Sequence, residues 1–212
     1  MPDAFGHDQI VAMLRGAIEQ IRANHPVLSQ LDSIGGDGDH GTTMVRAMGH
    51  MEKAIDEASS TQLQSFLFDV GWAIMGVDGG ATGPLLGSLF MGMSEAAAGK
   101  DSVDGPGLAA MFEAGLASLE KATKARVGDK TLMDALVPAV AAMREAADAG
   151  SGIPACLQAA AEAAAQGAEA TKALPTRFGR ARSIGEKTIG HADPGATSMS
   201  FIFRGFAQAS SQ

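Results

Sequence analysis

The sequence predicts an all-α fold, an antiparallel bundle of eight helices. Three observations carry this. Apolar residues recur at three- and four-residue steps along nearly the whole chain, strand-type alternation is scarce, and Gly-, Pro-, Asp- or Ser-rich breaks divide the chain into helix-length runs. The first helix reads from Ile10, Val11, Leu14, Ile18 and Ile21, and the second from Met44, Ala47, Met48, Met51 and Ile55. Further runs lie near 61–77, 83–98, 106–125, 131–149, 153–174 and 195–209, set apart by breaks such as Gly79-Gly80, Gly99-Lys100-Asp101 and Gly150-Ser151-Gly152. Alanine tracts at 139–149 and 159–165 permit close helix–helix approach, and the twelve methionines fall at core-like spacings and read as packing. No linker divides the chain, so one domain over residues 1–212 is expected.

Composition narrows the function classes. With 212 residues and 46% hydrophobic content the chain can bury a core of its own. A net charge of −8 and a pI near 5.0 argue against nucleic acid or an anionic membrane as partner. No uninterrupted apolar stretch approaches a membrane span, and Met1-Pro2-Asp3 opens no basic-then-apolar leader, so a soluble protein without an export signal is expected. Cys156 is the single cysteine and sits in an alanine-rich helical run; it reads as a packing residue, with no intrachain disulfide, and a reducing cytoplasm fits. His7, His25 and His50 lie in ordinary helical surroundings.

The chemistry gathers in the loops. Asp32 followed by Gly35-Gly36-Asp37-Gly38-Asp39-His40-Gly41-Thr42-Thr43 crowds three carboxylates and four glycines against the start of a helix expected near Thr42. Carboxylate oxygens are hard ligands for Mg²⁺ or Ca²⁺, and the free N–H groups of a helix N-terminus accept phosphate oxygens. An EF-hand starting at Asp37 fails, because its fifth, sixth and twelfth positions are Gly41, Thr42 and Met48. A P-loop starting at Gly36 fails as well, because Gly41 is followed by Thr42-Thr43 and no lysine. A plain Asp/Gly turn capping a helix stays open for this loop taken alone.

Three more loops share its character. Asp78-Gly79-Gly80-Ala81-Thr82-Gly83-Pro84 precedes the fourth helix, with Thr82 the expected N-cap; Gly128-Asp129-Lys130-Thr131 precedes the sixth; Gly190-His191-Ala192-Asp193-Pro194-Gly195-Ala196-Thr197 precedes the last. If helices alternate up and down, these loops meet at one end of the bundle. Lys130 and Arg180 are candidates for positive charge there.

These motifs, together with Gly179-Arg180-Ala181, keep an order and spacing that resembles the nucleotide-binding L-subunit family of dihydroxyacetone kinases, from about residue 10 to the C-terminus. The resemblance implies an eight-helix antiparallel barrel that holds ADP or ATP and two Mg²⁺ ions at one end. By the same carry-over Asp32, Asp37 and Asp39 would ligate the metals. His40, Gly41, Thr42, Thr43, Ala81, Thr82, Leu132, Arg180, Asp193, Pro194 and Gly195 would surround the nucleotide, with Arg180 stabilising the transferred phosphoryl group. Thr43, Thr82 and Leu132 stand where relatives often have Asn, Ser and Met, and Lys124-Ala125-Arg126-Val127 lacks a glycine that some relatives place beside the nucleotide.

Phosphoryl transfer needs mainly positioning and charge neutralisation, so the site requires no protein nucleophile. The resemblance implies that dihydroxyacetone, or a related small ketose, is held covalently by a histidine on a separate K-type subunit. Nothing in this chain reads as that substrate site. A second reading is a nucleotide-binding carrier or regulatory module, recharged by a phosphohistidine donor protein of the sugar phosphotransferase system and acting on a transcription factor. A fatty-acid kinase of the related superfamily is a third, and would call for a longer multidomain chain. A homodimer stays open.

Overall fold

The periodic runs form eight α-helices: α1 (His7–Asp32), α2 (His40–Asp56), α3 (Leu63–Met75), α4 (Thr82–Ala96), α5 (Gly105–Ala122), α6 (Met133–Asp148), α7 (Ile153–Ala170) and α8 (Pro194–Ser210). The structure is a computed structural model and describes residues 4–211, so the Met1-Pro2-Asp3 start lies outside the described residues. Helix ends follow local chemistry. Asp104 caps α5 by accepting from the Gly107 N–H at 2.8 Å, and Asp193 caps α8 by accepting from the Ala196 N–H at 2.7 Å, each with a proline in the first turn.

Three expectations change. Thr82 is the first helical residue of α4 and Ala81 stands at the cap position, because Gly79 and Gly80 take φ of +121° and +70° and turn the chain one residue earlier. Helix α2 begins at His40, two residues before the expected start, so Asp39 becomes its cap residue. Helix α7 stops at Ala170, and 3₁₀ turns at Thr171–Ala173, Arg180–Ser183 and Gly185–Thr188 fill the stretch before α8. A short antiparallel pair, β1 (Phe5–Gly6) with β2 (Ser102–Val103), puts Phe5 opposite Val103; two residues are too few for alternation to register in a sequence.

Each helix packs on its chain neighbours, and α8 closes the ring against α1. At that seam Gly16 and Gly205 face one another, and a Cβ on either would collide with the other's backbone. Gly167 of α7 lies likewise against α6, where a Cβ would strike the Asp134 carbonyl. Phe112, Phe203 and Phe206 pack in tilted and edge-to-face pairs at centroid separations of 5.5 to 5.9 Å, and each buried phenylalanine contributes about 1.5–3 kcal/mol. Methionines 13, 44, 48, 51, 93, 111, 133, 143 and 199 are buried, as packing residues should be. Cys156 is buried too. No helix among the described residues is long and apolar enough to cross a membrane.

Candidate functional site

Alternation of the helices brings the α1–α2, α3–α4, α5–α6 and α7–α8 connections to one end, where they line a cavity of about 380 Å³. Asp32 is the last residue of α1 and Asp39 caps α2, with Asp37 between them beside Gly38, whose φ is +76°. The chain reverses tightly there: the Gly36 N–H donates to the Asp32 carbonyl at 2.6 Å. The turn gathers ligand oxygens of Asp32, Asp37 and Asp39 within 4.8 Å of one another. Arg180 donates to Asp37 and stands 3.9 Å from Asp39, one positive charge against three negative ones. Three oxygen donors with an excess of negative charge fit a hard divalent cation such as Mg²⁺.

His40 closes the acidic loop. Its N–H donates to Asp32 at 3.3 Å and its Nε2 lies 3.2 Å from the Ser198 hydroxyl. Burial holds the imidazole below its ordinary pKa, against the raising influence of Asp32 and of the Pro194 backbone, so the ring is neutral at pH 7.

Asp32, Asp39, His40, Ala81, Thr82, Leu132, Arg180, Asp193, Pro194 and Gly195 all line the cavity. Asp37 is exposed beside it. His40, Thr82 and Pro194 are the first helical residues of α2, α4 and α8, and Leu132 is the cap residue of α6, so four helix N-termini converge with their positive dipole ends. Gly41, Thr42 and Thr43 lie outside the wall. Gly41 is buried where α2 crosses α1, since a Cβ there would strike the His25 carbonyl; Thr42 is exposed; and Thr43 is buried, its Oγ1 accepting from Arg46 at 3.0 Å. Thr43 also sits under the glycine loop, where a Cβ on Gly79 would fall 2.6 Å from its Oγ1.

Lys130 stands at the cavity, at the end of the bundle where it was expected, but its amine is engaged by backbone. Its side chain is buried, and its Nζ donates to the carbonyls of Leu174 at 3.0 Å, Thr188 at 2.7 Å and His191 at 2.8 Å. Its charge therefore holds backbone. Burial lowers its pKa, and the nearby Asp193 works against that lowering. The Asp193 carboxyl is itself enclosed, and burial pushes it up to about 7 despite the Ala196 N–H; Asp134 raises it further and Lys130 opposes.

Sequence reading missed Asp134 and Phe178. The buried Asp134 carboxylate accepts from the Gly128 N–H at 2.6 Å and the Thr131 N–H at 2.8 Å, fixing the loop that carries Lys130. The Thr131-Leu132-Met133-Asp134 spacing of a capping box was the available signal. Phe178, like Leu132, Ile34 and Leu85, gives the cavity apolar lining; its only signal was adjacency to Gly179-Arg180.

The DAK2 domain family matches residues 34–208. The chain is 36% identical over 190 residues to the ADP-binding subunit DhaL of PEP-dependent dihydroxyacetone kinase 1 from Listeria innocua, covering 90% of each. It is 32% identical to the ADP-binding subunit DhaL of the Escherichia coli PEP-dependent enzyme, covering 96% of this chain and 97% of that one. Among solved structures the dihydroxyacetone kinase of C. freundii superposes with a TM-score of 0.73 at 25% identity, covering 94% of this chain; this chain spans 34% of that protein's length. Its complex with AMP-PNP and Mg²⁺ shares the fold, with a TM-score of 0.74 at 24% identity.

Proposed function

The chain belongs to the DAK2 domain family, and we propose that it is the nucleotide-binding subunit of a kinase for dihydroxyacetone or a related small ketose, a cytoplasmic phosphotransferase. The observation that carries this is the three-carboxylate cluster standing where four helix N-termini meet an apolar wall. Asp32, Asp37 and Asp39 would hold two Mg²⁺ ions, which when bound offset the charge of the nucleotide's phosphates. The starts of α2, α4 and α8 would offer N–H donors to those phosphates, while Leu132 and Phe178 would wall the adenine. Arg180, exposed beside the cluster, would stabilise the transferred phosphoryl group.

The ketose would be presented by a separate K-type subunit approaching the open mouth. Relatives named as ADP-binding subunits of PEP- and PTS-dependent kinases support a resident ADP recharged by a phosphohistidine donor, in preference to ATP exchanged at each turnover. Two measurements test the reading. Calorimetry should find tight ADP binding only with Mg²⁺, and Asp37→Ala should lose metal and nucleotide together; tight binding by the wild type without a divalent cation would overturn the reading. The purified chain should transfer no phosphate to dihydroxyacetone until a K-type subunit is added, and ordinary turnover by the chain alone with ATP would refute the division of labour.

A further inference from the structure

Lys130 is a buried cation that the phosphate chemistry above does not use. Its backbone takes φ of +60°, a conformation a long side chain rarely adopts, and the two bonds accepted by Asp134 hold that turn in place. From it the ammonium reaches Leu174 at one end of an irregular segment, and Thr188 and His191 at the other. Three donors meet three carbonyls, so no ammonium proton is left for a ligand.

Between those anchors lies a stretch of cavity wall, Phe178 to Ala181, that includes Arg180. The segment's apolar anchors are few: Phe178 packs against the core and Ala181 and Ile184 lie against Gly35, whereas its turns are 3₁₀ and Arg177, Gly179, Arg180, Lys187 and Ile189 are exposed. Apart from the Arg180 bond to Asp37 at the tip, its other polar ties lead mostly back to the same loop or stay within the segment. The Arg177 N–H donates to the Asp129 carbonyl at 3.1 Å, and the Thr176 hydroxyl lies 3.0 Å from that of Thr188.

We propose that Lys130 is a positioning residue: by tying Leu174, Thr188 and His191 it sets the placement of the Phe178–Ala181 wall and so of the Arg180 guanidinium, and it does not bind phosphate. The functional half of this rests on the nucleotide reading above; the tie itself does not.

Two measurements on the full chain test it. In the wild type, nitrogen-15 NMR should show slowly exchanging Lys130 ammonium protons whose shift stays fixed when MgADP or inorganic phosphate is added. A shift on addition would make Lys130 a phosphate ligand and overturn the proposal. In Lys130→Met, hydrogen exchange should rise in the amides of 172–191 while α1 to α5 keep their protection. MgADP binding should weaken roughly 10- to 100-fold, the range for residues that orient a site from behind. Unchanged exchange in 172–191 of the folded variant would refute the tie. If Lys130→Met does not fold, Lys130→Gln, which keeps a smaller polar group in place, is expected to show the same local loosening, and its native-like exchange would refute the tie equally. Failure of the wild type to bind MgADP would overturn the nucleotide reading alone, because the exchange experiment needs no nucleotide.

Discussion

Asp193→Asn should stabilise the chain, by about 3 kcal/mol more at pH 8 than at pH 5. The Asp193 carboxyl of the folded chain is pushed up to about 7, from an ordinary 3.8. Between those values the folded chain holds a proton that the unfolded chain has released, so stability falls as pH rises through the window and levels off above it. From pH 5 to pH 8 about two units of that window are crossed, which at 1.36 kcal/mol per unit is about 3 kcal/mol. Below the ordinary value of 3.8 the carboxyl is protonated in both states and resembles an amide in shape, and Asn caps a helix about as well as Asp, so variant and wild type should match there and the variant should already lead at pH 5. The variant buries no charge, so between pH 5 and pH 8 its lead in melting temperature should widen by roughly 6–12 °C, given the size of the chain. His40 acts in the opposite sense: its lowered pKa means stability is lost as pH falls below the unfolded value of 6.5, but this is common to both proteins and cancels in the difference. Thermal unfolding followed by circular dichroism at pH 5, 6, 7 and 8, without nucleotide and with a chelator present, reads the effect. A difference in melting temperature that stays constant across the range would refute the buried neutral carboxyl.

MgADP at about one hundred times its Kd should stabilise the chain by about 2.7 kcal/mol, with much less from ADP alone, and an unmoved melting temperature would count against the site. Gly205→Val drives a branched side chain into the Gly16 backbone and should destabilise by about 1–3 kcal/mol; a denaturant midpoint equal to wild type would mean that α1 and α8 do not meet there. Arg180→Ala should leave the fold intact and reduce phosphoryl transfer, assayed with a K-type subunit, by roughly 10²–10³-fold, the usual loss for one charge-stabilising donor. Full turnover by that variant would remove Arg180 from the reaction.

Much of the fold and the acidic loop was legible because both are local. Ile10, Leu14, Ile18 and Ile21 face inward at helical spacing and are buried, and the glycines beside Asp37 and Asp39 announce a tight turn by residue type alone. Asp32 precedes Asp39 by only seven residues, so a single reversal of chain suffices to gather the carboxylates. Legibility fell away in the stretch from 171 to 191. Its 3₁₀ turns carry no apolar period, and the extension of α7 toward residue 174 was read from continuing alanines that do not say where a helix must stop.

Lys130 and Thr43 show the limit more sharply. Side-chain type offered Lys130 as a positive charge at that end of the bundle, whereas the folded chain spends it on carbonyls 44, 58 and 61 residues away. Thr43, read from the motif as a nucleotide neighbour, is buried beneath the glycine loop, a placement its residue type does not announce. By itself the sequence determined what repeats within a turn or a short loop: eight helices and which residues share the acidic turn. Tertiary structure alone decided which loops touch, as when Arg180 reaches Asp37 across 143 residues of chain. The physical reason is that such partners are set by the closure of α8 onto α1, a packing outcome of the whole ring that no local period encodes.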